Sequence, residues 1–137
     1  MRSFDHIPAK TVRFWAWLDS SVTYMPAIPP LSMKFIGVLY WINGLLGGAS
    51  TPPVFEPIHL VFVSLMGSLV AVWCAARLLR PLPIMAVIDG WGRLWIGCTF
   101  IYVVLAMDGP PLLWCFVFTQ WAGAFAQLRA AYFAKPA

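Results

Sequence analysis

The chain has 137 residues, a mass of 15.3 kDa and a mean hydropathy of +0.80. Hydrophobic residues make up 61% of it and charged residues only 10%, against about 25% charged residues in an average soluble domain. Nine basic and five acidic side chains, net charge +4, cannot cover the exterior of a soluble globule of this size. The composition therefore excludes a soluble enzyme, a disordered segment and a nucleic-acid-binding protein, and it predicts a membrane protein.

The N-terminal arm, residues 1–30, contains a helical pattern ahead of the first long apolar stretch. Large apolar side chains recur there at helical spacing, with polar side chains opposite them. The apolar side consists of Phe14, Trp17, Leu18, Val22 and Met25. We expect an interfacial amphipathic helix on the cytoplasmic leaflet, anchored by Trp15 and Trp17. The alternative is a short helix that packs under the membrane bundle.

Four apolar stretches follow the arm, each close to the ~20 residues that cross about 30 Å of hydrocarbon. They cover approximately residues 33–48, 57–79, 84–107 and 111–133. Segments rich in Gly and Pro separate them. Because these connections are short, neighbouring helices are expected to be antiparallel and adjacent. The prediction is one all-α membrane domain over residues 1–137, an integral membrane four-helix bundle preceded by the interfacial helix.

The basic residues predict the orientation of the bundle. Eight of the nine flank the predicted spans on one side: Arg2, Lys10, Arg13, Lys34, Arg77, Arg80, Arg129 and Lys135. The connections on the other side contain no Lys or Arg, only Glu56 and Asp108. Since basic residues accumulate on the cytoplasmic side of membrane proteins, we expect both termini to be cytoplasmic. The chain is predicted to be a multi-pass protein of a bacterial inner (cytoplasmic) membrane.

Ionisable residues inside a span are the first candidates for function, because inserting each costs on the order of 2.5–3.5 kcal/mol. Asp89 and Arg93 stand four residues apart on the third span, on one helix face and within reach of an ion pair. Gln120 lies on the fourth span. Both Arg93 and Gln120 lie roughly 15 Å from the cytoplasmic edge at about 1.5 Å per residue. The polar stripes of the two helices are therefore expected to face each other.

Three interpretations of this cluster remain open. The ion pair and the amide of Gln120 lock the third helix against the fourth, or they form a polar pocket that binds an anionic or quinone-like group through Arg93. The third interpretation is a proton path through Asp89. His59, at the outer start of the second span, and Asn43, at similar depth on the first, are further ligand-binding candidates; for His59 the alternative is a hydrogen-bonding anchor.

No metal site and no cofactor are predicted. The three cysteines, Cys74, Cys98 and Cys115, share no CxxC spacing and lie in apolar runs, where a free thiol behaves as a small apolar side chain. His6 is on the cytoplasmic arm, a membrane thickness away from His59, so the two cannot share a metal. The sequence contains no His, Cys or Glu motif for zinc, haem or a di-iron centre.

The layout combines short loops, termini on the cytoplasmic side and a stripe of Asp89, Arg93 and Gly97 on the third span. It resembles the small four-helix bacterial membrane proteins of the DoxX-like kind. Members of that group are associated with quinone-linked oxidoreductases, so the resemblance favours an accessory subunit.

Two functional hypotheses follow. The leading one is a non-catalytic accessory or anchor subunit of a larger membrane complex, because faces of small residues suit close helix packing and no nucleophile–base pair is found. Its partners would be membrane lipids and another membrane protein or a second copy of the chain. The alternative is a membrane-embedded pocket protein or enzyme handling a hydrophobic ligand such as a quinone or a lipid, with Asp89, Arg93 and Gln120 lining the pocket. A transporter needs helices broken at mid-membrane, whereas the predicted spans are continuous.

Overall fold

The computed structural model describes residues 4–133, and this part of the chain forms five α-helices. They are α1 (Ala9–Ala27), α2 (Pro29–Leu45), α3 (Pro57–Leu79), α4 (Pro83–Ala106) and α5 (Leu113–Tyr132). The all-helical prediction is confirmed. Helix α3 has the predicted bounds, and α4 and α5 begin and end within two residues of them. Helix α2 begins at Pro29, ahead of the predicted start at residue 33.

Proline fixes where three of the helices begin. Helices α2, α3 and α4 each carry Pro in the first turn, where the missing N–H has no intrahelical partner to lose. Helix α3 also has a capping box: the side chain of Glu56 accepts from a backbone N–H in the first turn, and the N–H of Glu56 donates to His59 Nδ1 at 3.1 Å. Helix α4 ends at Ala106, and two residues later Asp108 has a φ of 53°, which lets the Gly109 N–H bond to the Val103 carbonyl at 3.0 Å.

Two helices, α3 and α4, are each long and apolar enough to cross a membrane. Helices α1 and α2 pass the same test only as a pair, bent by 114° at the break between them. The described part of the chain thus offers two membrane-crossing helices, or three if the bent pair is one span. The break lies at Ile28, between Pro26 and Pro29, close to the predicted boundary between the arm and the first span.

The helices pack mainly as two pairs, α1 with α3 and α4 with α5. Helix α1 runs antiparallel to α3, because Asp19 contacts Arg77 near the end of α3 while Ala27 lies against Gly67 in its middle. A Cβ atom on Gly67 would lie 2.5 Å from the backbone nitrogen of Ala27, so only glycine permits this approach. In the second pair Gly90 lies opposite Leu128.

Helix α1 packs against the bundle with the side opposite to the apolar side that was predicted to bind the membrane surface. Small residues of α1 are buried in the bundle: Val12, Ala16 and Ser20. Phe14 and Trp17, expected to bind a leaflet, are 61% and 66% exposed, and the ring of Trp15 lies 5.1 Å from the guanidinium of Arg93. Trp15 is half-buried and contacts the interior of the bundle. The observed packing agrees with the alternative of a helix held by the bundle, since small side chains allow close approach.

The buried apolar core joins the start of α1 to α4 and α5. It consists of Ile7, Val12, Ala86, Val87 and Ala131. The His6 ring nitrogen Nε2 lies 3.0 Å from the Ala130 carbonyl and adds a polar contact at the same end. Cys74 is buried, Cys98 and Cys115 are exposed, and all three are free.

Candidate functional site

Four charged side chains from three helices meet inside the bundle, and we call them the charge quartet: Asp19 from α1, Arg77 from α3, and Asp89 and Arg93 from α4. Asp89 Oδ2 lies 2.8 Å from both Arg77 Nη1 and Arg93 Nε. Asp19 Oδ2 lies 2.6 Å from Arg77 Nη2 and also contacts Arg93 Nη2. Two carboxylates balance two guanidinium groups, so the quartet has no net charge.

Neutral side chains complete the hydrogen bonds of Asp89. Trp73 Nε1 donates to Asp89 Oδ1 at 2.9 Å, and Gln127 Nε2 donates to Asp89 Oδ2 at 2.8 Å. Arg93 Nη1 donates to Gln120 Oε1 at 3.2 Å. Two predictions are thereby confirmed: Asp89 and Arg93 form an ion pair, and the polar stripes of α4 and α5 face each other.

Aromatic rings cover both guanidinium groups. The Arg77 guanidinium carbon lies 5.5 Å from the centre of the Trp73 ring, and that of Arg93 lies 5.1 Å from the Trp15 ring. Both distances are within the range of a cation–π interaction. Gly123 of α5 makes room for the Arg93 side chain, because a Cβ there would lie 2.9 Å from Arg93 Cδ.

The quartet is buried, and its members differ in exposure. Arg77 is fully buried, Asp89 and Arg93 are 8% and 4% exposed, and the Asp19 side chain is 17% exposed. Among residues 4–133, Arg77 Nε and Nη1 have no hydrogen-bond partner, although Nη1 is close to Asp89. A buried charge is costly unless it is paired, so the balance of the four charges makes the cluster tolerable.

A cavity of about 580 Å³ adjoins the quartet. Its polar wall consists of the four quartet side chains together with Gln120. Most of the remaining lining is apolar, including Met66, Val70, Ile88, Ile96 and Phe100, with Thr23 and Thr99 as further polar residues. Met66 and Ile88 are exposed on the outer surface of the helices, so the apolar wall is accessible from outside the bundle. The volume of the cavity falls in the range of small-molecule sites, about 300–1,000 Å³.

The other two candidates, Asn43 and His59, do not contact the quartet. Asn43 is buried; its Nδ2 donates to the Ala49 carbonyl at 2.9 Å, and its Oδ1 accepts from the Leu112 N–H at 3.0 Å. It ties the end of α2 to the segment before α5 and borders a separate cavity of about 550 Å³. His59 belongs to the capping box of α3 and packs edge-on against Phe55, with ring centres 6.3 Å apart. The hydrogen bonds of Asn43 and His59 thus stabilise the local backbone around the ends of α2 and α3.

Asp19 and Arg77 are functional candidates that sequence reasoning missed. Arg77 was expected to flank the second span at its end; it does lie in the last turn of α3, but its side chain is fully buried inside the bundle. Asp19 was expected on the polar side of an interfacial helix and instead contacts two arginines. One feature of the sequence could have indicated the role of Asp19: it is the single acidic residue within the otherwise uncharged segment 14–27.

The chemistry of the site is that of hydrogen-bond donation to an anion or a carbonyl. Guanidinium groups present several N–H donors in a fixed planar arrangement and stay protonated. Within residues 4–133, no group of three or more His, Cys, Asp or Glu side chains is arranged to hold a metal ion.

Comparison of the chain with protein-family models, with curated proteins and with solved structures gives no match. The resemblance to DoxX-like proteins stays a prediction.

Proposed function

We propose that this membrane protein binds the polar end of a hydrophobic ligand, a quinone or a lipid, in the cavity beside the charge quartet. The observation that carries the proposal is that one cavity borders both guanidinium groups and a majority of apolar side chains. A ligand with a carbonyl or anionic head group would meet donors from Arg77 and Arg93 at one end. Its hydrocarbon part would contact the apolar wall, as expected for a ligand that arrives from a bilayer.

We propose the corresponding topology as part of the same hypothesis. The chain is a four-helix bundle of a bacterial inner membrane with both termini cytoplasmic. Its spans are α3, α4, the bent pair of α1 and α2, and α5, which is shorter and less apolar than α3 and α4 and is added to the two or three spans described above. The hydropathy of α3 and α4 supports this arrangement, and so does the one-sided distribution of the exposed basic residues.

The second candidate function is a non-catalytic accessory subunit of a larger membrane complex, formed with another membrane protein or a second copy. Large aromatic side chains exposed along α4 and α5 favour it: Trp95 is 76% exposed, Phe118 71% and Phe125 69%. Such a surface suits either lipid or a partner helix.

Mild-detergent purification followed by mass spectrometry of the bound molecules tests the two functions. The first predicts a quinone or lipid retained by the wild type at close to one per chain. The double variant Asp19→Asn/Arg93→Met keeps the charge balance, and retention by it should fall; the control Gly37→Ala has no atom within 4 Å of the new Cβ and should retain the ligand. Equal retention by all three proteins contradicts a site at the quartet. A stoichiometric protein with no small molecule supports the accessory subunit instead.

A further inference from the structure

The Asp19 carboxylate occupies a position that an anionic ligand would also occupy. A single oxygen, Asp19 Oδ2, contacts a terminal nitrogen of both Arg77 and Arg93. The two arginines come from different helices, and the carboxylate comes from a third, α1. Two guanidinium groups converging on one oxygen are typical of a carboxylate or phosphate site, because their planar N–H groups match such anions.

We infer that the ligand of the cavity is an amphiphile with one negative charge, such as a long-chain carboxylate, and that its head group replaces Asp19 between the two arginines. This inference rests on the proposed function, since it specifies the charge of the ligand that the cavity takes. The exchange breaks no covalent bond: one carboxylate leaves the two guanidinium groups and another takes its place.

Charge balance limits the ligand to a single negative charge. Asp89 neutralises one of the two guanidinium groups and remains in place, held by Trp73 and Gln127. Without Asp19, the remaining three side chains carry a net charge of +1. A neutral quinone would leave this charge uncompensated in the bundle, whereas a monoanion restores neutrality. Arg77 Nε, which has no hydrogen-bond partner among residues 4–133 and no carboxylate contact, provides a further donor.

Asp19 is also the member of the quartet that is most easily displaced. It is the most exposed of the four at 17%, and it lines the cavity. Helix α1 ends eight residues later, at the break before α2. The salt bridges of Asp19 tie α1 to both α3 and α4. Replacement of Asp19 by a ligand would therefore release these two charged contacts of α1.

The test is equilibrium binding of hexadecanoate and hexadecanol, which share a chain length and differ in charge, to the full chain in detergent. If Asp19 occupies the anion position nearly all the time, Asp19→Asn should bind hexadecanoate at least about tenfold more tightly than the wild type. Binding of hexadecanol should not change. Asp108→Asn removes an acid outside the quartet and, since Asn tolerates the same backbone conformation, serves as the matched control with no expected change.

The variant Asp19→Asn leaves an uncompensated charge and can fail to fold alone. In that case hexadecanoate should restore a monodisperse, thermally cooperative protein, and hexadecanol should not. The anion inference is overturned if folded Asp19→Asn gains no more affinity for hexadecanoate than for hexadecanol. It is likewise overturned if Asp19→Asn does not fold alone and hexadecanoate restores it no better than hexadecanol. If the wild type still binds hexadecanol or decylubiquinone at the cavity, the proposed function stands. If none of the three probes binds the wild type or Asp19→Asn, both ideas fail.

Discussion

The neutral charge of the quartet predicts how stability responds when its members are removed singly and in a pair. Arg93→Met replaces a guanidinium by an apolar side chain of similar length and leaves two carboxylates opposite Arg77. The site then has a net charge of −1, and Asp89, one of the two carboxylates, is 8% exposed. Asp19→Asn alone has the opposite effect and leaves a net charge of +1.

Breaking a buried pair by removing one partner costs about 3–5 kcal/mol, whereas replacing both partners can be close to neutral. The double variant Asp19→Asn/Arg93→Met leaves Arg77 and Asp89 as a balanced pair 2.8 Å apart. Asp89 keeps its hydrogen bonds from Trp73 and Gln127. The donors lost are those of Arg93 to Asp89, to Gln120 and to the side chain at position 19. The double variant should therefore be more stable than either single variant, although it removes more of the native contacts.

Thermal unfolding in detergent, followed by the circular dichroism of the helices, measures the effect. At about 2–8 °C per kcal/mol, the single variant Arg93→Met should unfold about 10 °C below the wild type, and the double variant should recover most of that loss. Arg13→Met, a change at an exposed base on α1, is the control and should leave the midpoint unchanged. A double variant less stable than both singles would refute the argument, because individual contacts and not charge balance would then set the stability.

Three further predictions concern the helix contacts and the topology. Gly67→Ala should cost about 1–3 kcal/mol in the same unfolding assay, since its Cβ would meet the backbone of α1, while Gly37→Ala, inside α2 with nothing within 4 Å, should not destabilise the protein. Asn43→Ala leaves the Leu112 N–H without its acceptor, so it should cost about 1–3 kcal/mol and speed limited proteolysis between α4 and α5; unchanged proteolysis would contradict the tethering role. A reporter fused after Ala137 should be active only in the cytoplasm, and activity on the opposite side would contradict the proposed topology.

The helix boundaries were predictable because local signals determine them. The long apolar run and the proline at residue 57 mark α3, and Pro81 and Pro83 separate it from α4. Pro26, Pro29 and Pro30 mark the break between α1 and α2 equally well. The 114° bend at that break was not predictable, because it depends on how closely the end of α1 approaches the middle of α3 at Gly67.

The charged site was predictable only where it lies within one helix. Asp89 and Arg93 are four residues apart, so helical geometry alone brings them together. Arg77 lies near the end of α3, where an arginine that reaches the membrane surface and one buried in a bundle have the same sequence context. Its burial depends on α1, which comes from a distant part of the chain. The sequence pattern therefore placed Arg77 correctly near the end of its helix but could not show that its side chain is buried.

Asp19 was misplaced for a related reason. The alternation of apolar and polar side chains in α1 is typical of a helix at a water interface, where the polar side chains face water. Against a bundle of apolar helices the relation is reversed: charged side chains turn towards partners in the interior, and large apolar ones face outward. Phe14 and Trp17 are exposed and Ser20 is buried, in agreement with this reversal. Periodicity located the two faces of α1 correctly, but it could not show which of them faces the protein.

The position of Asp19 links two properties of the molecule that would otherwise be independent. Its carboxylate holds α1 to α3 and α4, and the same carboxylate neutralises the charge beside the cavity. If an anionic ligand takes its place, ligand binding and the attachment of α1 oppose each other. The ligand then weakens the attachment of α1 by a certain free energy, and attached α1 weakens ligand binding by the same free energy. A covalent link between α1 and α3 at the level of Gly67 would prevent α1 from moving. It would thus lower the affinity for an anionic amphiphile only if binding of the amphiphile requires α1 to move. If rotation of the Asp19 side chain suffices for the exchange, the link leaves the affinity unchanged and the attachment of α1 is insensitive to the ligand.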